Sequence, residues 1–170
     1  AGISAILTGM GSLSYGETAG ERMRLGVMLN DPEEEHSCFA DNTHNDHFYN
    51  GVGIQSVYLG SYTRVNGDVV EGPSLSDLVA ATDADLDMEM KSKLSAAVLA
   101  LGRIKTAAES GFTYDMMLER GNAAGEALIM GGVNGLVDQT RSIERVVAVL
   151  GTEVMIEGSD SLDNPSAVFE

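Results

Sequence analysis

Two long stretches of the chain carry apolar residues at intervals of three and four, the spacing of one face of an α-helix. The first covers residues 83–109 and the second residues 122–150. Thr82 and Asp85 match a capping box at the start of the first stretch, and Gly151 stands where the second should end. Since no segment alternates with a period of two for long enough to build a sheet, the chain has to bury its apolar residues by packing helix on helix.

Shorter periodic segments predict four more helices around these two. Capping patterns begin two of the shorter helices, and the N-terminal helix holds five glycines, so its stability has to come from tertiary packing. Glycines also lie near the apolar face of the last long helix, where we expect a neighbour to approach closely. The prediction is an all-α protein, an up-and-down four-helix bundle with additional short helices. The four further segments are residues 3–29, residues from 43 to the turn region 60–72, residues 74–81 and residues 113–120.

The helical pattern stops after residue 151, which predicts two parts. Residues 1–151 form the helical-bundle domain, and residues 152–170 form an acidic C-terminal tail with five acids and no base. We expect this tail to be solvated or bound to a partner. The chain begins with Ala1 and shows no signal peptide, so we expect it to be a processed or excised piece of a longer protein.

The charge balance excludes several classes of function. Ten Lys and Arg against 26 Asp and Glu give a net charge of −16, which argues against binding to nucleic acid or anionic lipid. No apolar run approaches the roughly 18–20 residues that a membrane span needs. The single cysteine, Cys38, excludes an internal disulfide.

The segment of residues 31–47, DPEEEHSCFADNTHNDH, concentrates the residues that can do chemistry. It contains all three histidines, His36, His44 and His47, together with six carboxylates and no Lys or Arg. Imidazole and carboxylate groups are suitable ligands for iron, zinc or manganese. His44 and His47 are three residues apart and could share one helix face. The segment therefore indicates a cation or polar-ligand site.

A simpler interpretation competes with this one. An acid-rich connection between helices is usually just solvated, and Asp41, Asn42 and Thr43 could do nothing more than cap the helix that follows. Cys38 fits a small buried apolar residue better than a nucleophile, because no activating base is evident beside it.

The first helix offers a second group of charges. Glu17, Glu21 and Arg24 are spaced by four and three residues, with Arg22 beside them, a pattern that normally forms a surface ion-pair row. The chain has no Walker loop, no G-x-S-x-G elbow, no H-E-x-x-H pair and no complete dinucleotide-binding loop. The common catalytic motifs are therefore excluded.

Three stretches together resemble the C-terminal half of the imelysin-like family. They are residues 20–23 (GERM), residues 35–44 (EHSCFADNTH) and residues 53–60 (GIQSVYLG), and the helix over 122–150 is similar to the last helix of that family. The resemblance covers roughly residues 1–151. The family includes an insulin-cleaving outer-membrane protease and iron-regulated envelope proteins, so the resemblance implies an all-α bacterial envelope protein linked to iron acquisition.

The resemblance also implies a partner and limits the chemistry of this chain. The family is classed as a metallopeptidase because of a Gly-x-His-x-x-Glu motif in its N-terminal half, and that motif is absent here. We therefore assign no catalytic residue to this chain. We expect a periplasmic or outer-membrane-associated protein whose cleft is shared with an N-terminal half.

The leading hypothesis is a cleft that binds an iron or zinc ion, or a small ligand, and that serves iron uptake. Two alternatives stay open: a zinc metallopeptidase whose motif lies in the N-terminal half, and a non-catalytic structural or partner-binding module. The candidate metal ligands are His36, Asp41, His44 and Glu21, and the candidate ligand-cleft residues are Arg22, Ser37, Cys38, Asn42 and Thr43.

Overall fold

The computed structural model describes residues 2–169 and confirms the all-α prediction. Ala1 and Glu170, the outer ends of the predicted domain and of the acidic tail, lie outside the described residues. Short 3-10 turns cover Pro32–Glu34, Cys38–Ala40 and Pro165–Phe169. The remaining elements are α1 (Gly2–Ser12), a π-helix (Leu13–Arg24), α2 (Leu25–Leu29), α3 (Thr43–Leu59), β1 (Ser61–Thr63), β2 (Val69–Glu71), α4 (Leu75–Thr82), α5 (Ala84–Glu109), α6 (Tyr114–Leu118), α7 (Ala123–Val149) and α8 (Asp160–Asp163).

The predicted N-terminal helix forms, but its middle section is wound as a π-helix. The sections α1, π-helix and α2 follow one another without a break, and we call them together the N-terminal helix. The amide of Leu25 donates to the carbonyl of Gly20, five residues earlier, as the wider winding requires. The helix ends at Asn30, whose φ of 51° is left-handed. Nothing in the apolar spacing distinguished this section from an α-helix.

Four long helices form the bundle, as predicted. The N-terminal helix contacts α7 and α3, and α5 contacts the same two helices from the other side. The buried apolar residues form two clusters. One cluster surrounds Met23, Ile104 and Val133, and the other surrounds Tyr58 and Met90.

A buried polar contact lies between the two apolar clusters along the N-terminal helix and α7. The Ser14 hydroxyl donates to the Leu136 carbonyl at 2.9 Å and accepts from the Gln139 side-chain amide at 2.8 Å. Because buried hydrogen-bonding groups are costly when unpaired, this contact fixes how the two helices align.

Helix starts follow the predicted capping signals in part. Ser74 and Asp77 form the predicted reciprocal capping box at the start of α4. At the start of α5 the cap is Asp83, which accepts from the Leu86 amide, whereas the predicted cap Thr82 belongs to α4. Helix α3 begins at Thr43 as predicted, but no side chain caps its first turn.

The turn region between α3 and α4 contains a small hairpin that the sequence did not predict. Strands β1 and β2 pair antiparallel, with Tyr62 opposite Val70. Each strand has three residues and pairs only with the other strand. Both strands lie on the surface and contribute nothing to the core.

Part of the predicted solvated tail packs against the bundle instead. We call residues 156–163 the C-terminal strap. Ser159 and Ser161 are buried within it, and the side chain of Ile156 lies 2.6 Å from the point where a Cβ on Gly11 would stand. The strap fits because the N-terminal helix presents glycines to it, and these leave room for a second chain segment.

The predicted close approach to α7 occurs at its glycines. A Cβ on Gly135 would lie 3.1 Å from the Cα of Ala97 on α5. A Cβ on Gly132 would meet Met23 of the N-terminal helix at 2.7 Å. At each of these glycines the missing side chain lets a neighbouring helix lie close to the backbone of α7.

Two other glycines of α7 test how much stability depends on a missing side chain at a helix contact. A Cβ on Gly125 would overlap the backbone of Met117, whereas a Cβ on Gly131 would meet nothing within 4 Å. We expect Gly125→Ala to lower the free energy of unfolding by about 1–3 kcal/mol. Gly131→Ala should raise it by about 0.5–1 kcal/mol, because alanine is the better helix former. Urea unfolding of both variants checks the prediction, and equal effects would contradict it.

Asp87 is a buried carboxylate that ties α3, α4 and α5 together. It accepts hydrogen bonds from the hydroxyl of Tyr58 at 3.0 Å, the hydroxyl of Ser76 at 2.8 Å and the ammonium of Lys91 at 2.7 Å. Burial alone would raise the pKa of Asp87, but these three donors outweigh burial and hold the pKa below its usual value.

We expect Asp87→Asn to lower the free energy of unfolding by about 2 kcal/mol at pH 7, because the hydrogen bonds to the charge are lost. A carboxyl with a depressed folded pKa stabilises above its unfolded pKa, and that contribution disappears as the pH falls through the folded pKa. The deficit of the variant should therefore shrink in acid. Asp138→Asn, at a half-exposed ion pair with Lys93, is the control and should change stability by less than about 1 kcal/mol.

Candidate functional site

Residues from two separate parts of the chain line one open polar pocket of about 540 Å³. The N-terminal helix contributes a guanidinium, the connection before α3 contributes an imidazole, and α3 contributes amide, carboxylate and phenol groups. Three of the predicted site residues are among them. The lining residues are Arg22, His36, Asn42, Asn45, Asp46, Tyr49 and Asn50.

Local turns shape the connection before α3, and this connection contains no Lys or Arg. The side chain of Asp31 accepts from the Glu33 amide at 3.0 Å and starts the first 3-10 turn. The second 3-10 turn ends at Asp41, whose φ of 46° is left-handed, a conformation that Asp tolerates better than most residues. This reversal directs the chain into α3 beside the N-terminal helix.

Ser37 and Thr43 hold the connection closed rather than facing the pocket. The Ser37 hydroxyl donates to the carboxylate of Asp46, and the Ser37 amide donates to the Thr43 hydroxyl at 2.9 Å. Thr43 is fully buried. These two predicted cleft residues therefore fix the geometry of the segment that carries His36.

A chain of hydrogen bonds orients the amide groups at the rim. The Lys105 ammonium of α5 donates to Asn45 Oδ1 at 2.8 Å, and Asn45 Nδ2 donates to Asn42 Oδ1 at 2.8 Å. The same Asn45 amide lies 3.1 Å from His44 Nε2. With its Nε2 beside this amide, His44 is not among the lining residues of the pocket.

Arg22 belongs to the π-helical section and lines the pocket. Its guanidinium pairs with the carboxylate of Glu17 at 2.8 Å, five residues earlier. Of the predicted surface ion-pair row of Glu17, Glu21, Arg22 and Arg24, only the pair of Glu17 with Arg22 forms, because the π-helix brings residues five apart together. Arg24 instead lies 3.1 Å from the sulfur of Met130.

The other predicted residues lie away from the pocket. Glu21 is exposed and accepts a hydrogen bond from the Ser159 hydroxyl of the C-terminal strap at 2.7 Å. Asp41 is exposed at its turn. Cys38 is a free thiol that is only half-buried. The prediction that it is a small buried residue is therefore met only in part.

The residues present do not by themselves fit a metal ion. Of the four predicted ligands, only His36 lines the pocket, while Glu21, Asp41 and His44 face elsewhere. Across residues 2–169, no three His, Cys, Asp or Glu side chains are grouped so that they could hold one metal ion.

A buried polar cluster that the sequence did not reveal lies beneath the pocket. His47 is fully buried, its ring contacts Tyr114 edge-on at 5.1 Å between centroids, and it stacks on His36 at 6.5 Å. Both ring nitrogens of His47, the Tyr114 hydroxyl and Oε2 of Glu35 have no hydrogen-bond partner among residues 2–169. Such a concentration of unpaired buried atoms is unusual, because most buried polar groups in proteins are paired.

Burial disfavours the charged forms of the members of this cluster. It lowers the pKa of His47 to about 3, with smaller contributions from His36, Arg22 and His44. Burial also raises the pKa of the Glu35 carboxyl and that of the Tyr114 hydroxyl. At neutral pH the His47 ring is therefore uncharged, with one nitrogen free to accept a proton or a hydrogen bond.

The depressed pKa of His47 predicts an acid-sensitive fold. An imidazole whose folded pKa lies below its unfolded value of about 6.5 stabilises above pH 6.5. That contribution is lost as the pH falls from about 6.5 toward 3. We expect His47→Phe to remove this part of the acid-induced loss, because the phenyl ring does not titrate. Urea unfolding at several pH values measures it.

The control for this measurement is His44→Gln, which removes a histidine from the same helix outside the buried cluster. It should leave the acid-induced loss in place. An unchanged pH profile in His47→Phe would show that His47 is not the group responsible.

The sequence could have indicated His47 but not its partners. His47 stands four residues after the buried Thr43, so both share the inner face of α3. The expectation that His44 and His47 act from one face is not met, since His47 is fully buried and His44 is not. Tyr114 comes from α6, and no spacing along the chain links it to residue 47.

Comparison with known proteins identifies one family. The family model described as Imelysin, a peptidase family, matches residues 1–143. The comparison with curated proteins finds no match. The matched range contains the pocket and the buried cluster, whereas the C-terminal strap lies outside it.

Proposed function

Because this chain belongs to the imelysin family, we propose that it forms one wall of a ligand-binding cleft in an iron-linked protein of the bacterial cell envelope. One observation carries the proposal. Arg22 stands 14 and 20 residues before His36 and Asn42, yet all three line a single polar pocket.

The chemistry of the pocket suits a small polar ligand. Arg22 offers a positive charge, and the amides of Asn42, Asn45 and Asn50 each present both donors and acceptors. Polar groups converging on a concave site are typical of ligand-binding pockets. Because this pocket is open, an occupant would be enclosed only if another surface covered it. We propose that the N-terminal half of the same protein supplies that cover.

For a metal ion, we propose that His36 is the donor supplied by this pocket. Imidazole is a suitable ligand for both iron and zinc. The remaining donors would come from the N-terminal half, in line with the shared cleft. Asp41 and Glu21 stay predicted ligands. For His44, whose Nε2 lies beside the Asn45 amide, we propose no direct bond to the ion, and single variants at His36 and His44 test that difference.

The proposed location rests on the family. Within residues 2–169, none of the helices combines the length and the apolar character that crossing a membrane requires. We propose that the chain works in the periplasm or at the outer membrane.

The test is titration of the full-length gene product with Fe²⁺ and with Zn²⁺ by calorimetry. We expect His36→Ala to weaken binding of one of these ions at least about tenfold, because imidazole ligands contribute directly to affinity. The variant His36→Ala/His44→Ala tests both predicted histidines together. The 170-residue chain alone should bind neither ion tightly, since its donors are incomplete.

The matched control is His44→Ala, which removes the histidine whose Nε2 faces Asn45. Its affinity should stay near that of the unchanged protein. Equal affinity in the unchanged protein and the double variant would refute the metal proposal. If the double variant loses only stability, the segment is a structural module, as the closed contacts of Ser37 and Thr43 would favour.

A zinc metallopeptidase is the second candidate, favoured by the peptidase family to which the matched model belongs. Its catalytic motif would lie in the N-terminal half, and this chain would contribute only the cleft wall. Incubating the full-length product with a peptide panel, with and without a chelator, separates the two. Chelator-sensitive cleavage would support the peptidase, and its absence would leave the binding protein.

A further inference from the structure

We propose that the C-terminal strap holds the Leu13–Arg24 section in its π-helical winding and thereby sets Arg22 in the pocket. Ser159 and Ser161 are then positioning residues that act through the N-terminal helix. The inference about the winding stands on packing and hydrogen bonds alone. Only its consequence for ligand binding rests on the proposed function.

A π-helix of this length needs external support. Most π-helical segments are single turns inserted in an α-helix, whereas this one has twelve residues. Its sequence, LSYGETAGERMR, contains no proline that would force the winding. Contacts with the rest of the protein must therefore make up the difference in stability between the two windings.

The strap lies against the helix where side chains are absent. A Cβ on Gly16 would stand 2.6 Å from the carbonyl oxygen of Glu157, and a Cβ on Gly20 would overlap the side chain of Ser159. Any residue larger than glycine at these two positions would push the strap away. The two segments are thus fitted to each other at the π-helix itself.

Four hydrogen bonds join the strap to the same surface. The Glu157 amide donates to the Ser12 hydroxyl at 3.0 Å, and the Tyr15 hydroxyl donates to Asp163 at 2.6 Å. The other two come from Ser159 and Ser161, whose hydroxyls are buried. They reach Glu21 Oε1 at 2.7 Å and the Gly20 carbonyl at 2.9 Å respectively.

The hydrogen bond from Ser161 to the Gly20 carbonyl links the strap to the backbone hydrogen bonding of the π-helix. The Gly20 carbonyl also accepts the Leu25 amide, which is the i→i−5 bond that closes the π-helix. Ser161 therefore adds a second donor to the oxygen on which the winding ends. In an α-helix the Leu25 amide would bond to residue 21 instead.

A change of winding would move Arg22. Residues five apart in an α-helix are separated by about 140° around the axis, so Glu17 and Arg22 could no longer pair. Arg22 would then turn away from His36 and Asn42. By holding the winding, the strap fixes the only guanidinium in the pocket lining.

The test compares the unchanged chain with the variant Ser159→Ala/Ser161→Ala. Scalar couplings measured by NMR across hydrogen bonds identify which carbonyl each amide bonds to. We expect i→i−5 couplings within Leu13–Arg24 in the unchanged chain. In the variant they should be replaced by i→i−4 couplings, with loss of the contact between Glu17 and Arg22.

The control is Ser166→Ala, whose hydroxyl reaches only Asn164 in the same C-terminal segment. It should keep the i→i−5 couplings. A second, steric route to the same result is Gly16→Ala, paired with Gly9→Ala, where a Cβ would meet nothing within 4 Å. Retention of i→i−5 couplings in both the serine variant and Gly16→Ala would overturn the proposal.

The same serine variant, made in the full-length product, separates this inference from the proposed function. A change of winding with unchanged binding of Fe²⁺ and Zn²⁺ would support the strap and show that metal binding at His36 does not depend on Arg22, which is not a metal donor. Unchanged winding with weakened binding would count against the strap alone.

Discussion

Three of the four long helices meet at Gly132 of α7, and the rest of the bundle depends on that contact. A Cβ there would meet Met23 of the N-terminal helix at 2.7 Å and the side chains of Leu101 and Ile104 of α5 at 3.1 and 3.2 Å. Because interiors are close-packed, a single added carbon at this point would force these three side chains to repack. The missing side chain of Gly132 therefore sets how closely the N-terminal helix and α5 pack on α7.

The interior beneath the pocket is unlike the rest of the core. His47, Tyr114 and Glu35 are buried with unpaired polar atoms, and together they hold four of the seven such atoms among residues 2–169. Burying such groups costs stability, which makes this region a candidate for function. The pocket and the cluster share the stacked pair His36 and His47, which connects the exposed site to the buried one.

Helices were predicted correctly where an apolar stripe along one helix face, or a local capping pattern, determines the helix. Long apolar stripes identified α5 and α7 almost to the residue, and the Ser74 capping box identified α4. The prediction failed for features that depend on contacts between residues distant in sequence. The π-helix, the strap and the ion pair of Glu17 with Arg22 all follow from residues near 157–163 packing on residues 11–22. No local pattern contains that information.

The sequence by itself determined the fold class, the family and the segment that carries the site, because apolar periodicity and a run of unusual residues are local properties of the chain. Only the tertiary structure decided which of those residues meet. It brought Arg22 and His36 together, turned Glu21 toward Ser159, and buried His47 against Tyr114. The reason is physical: a pocket is made by side chains converging from separate elements, and their convergence depends on helix winding and packing depth rather than on spacing.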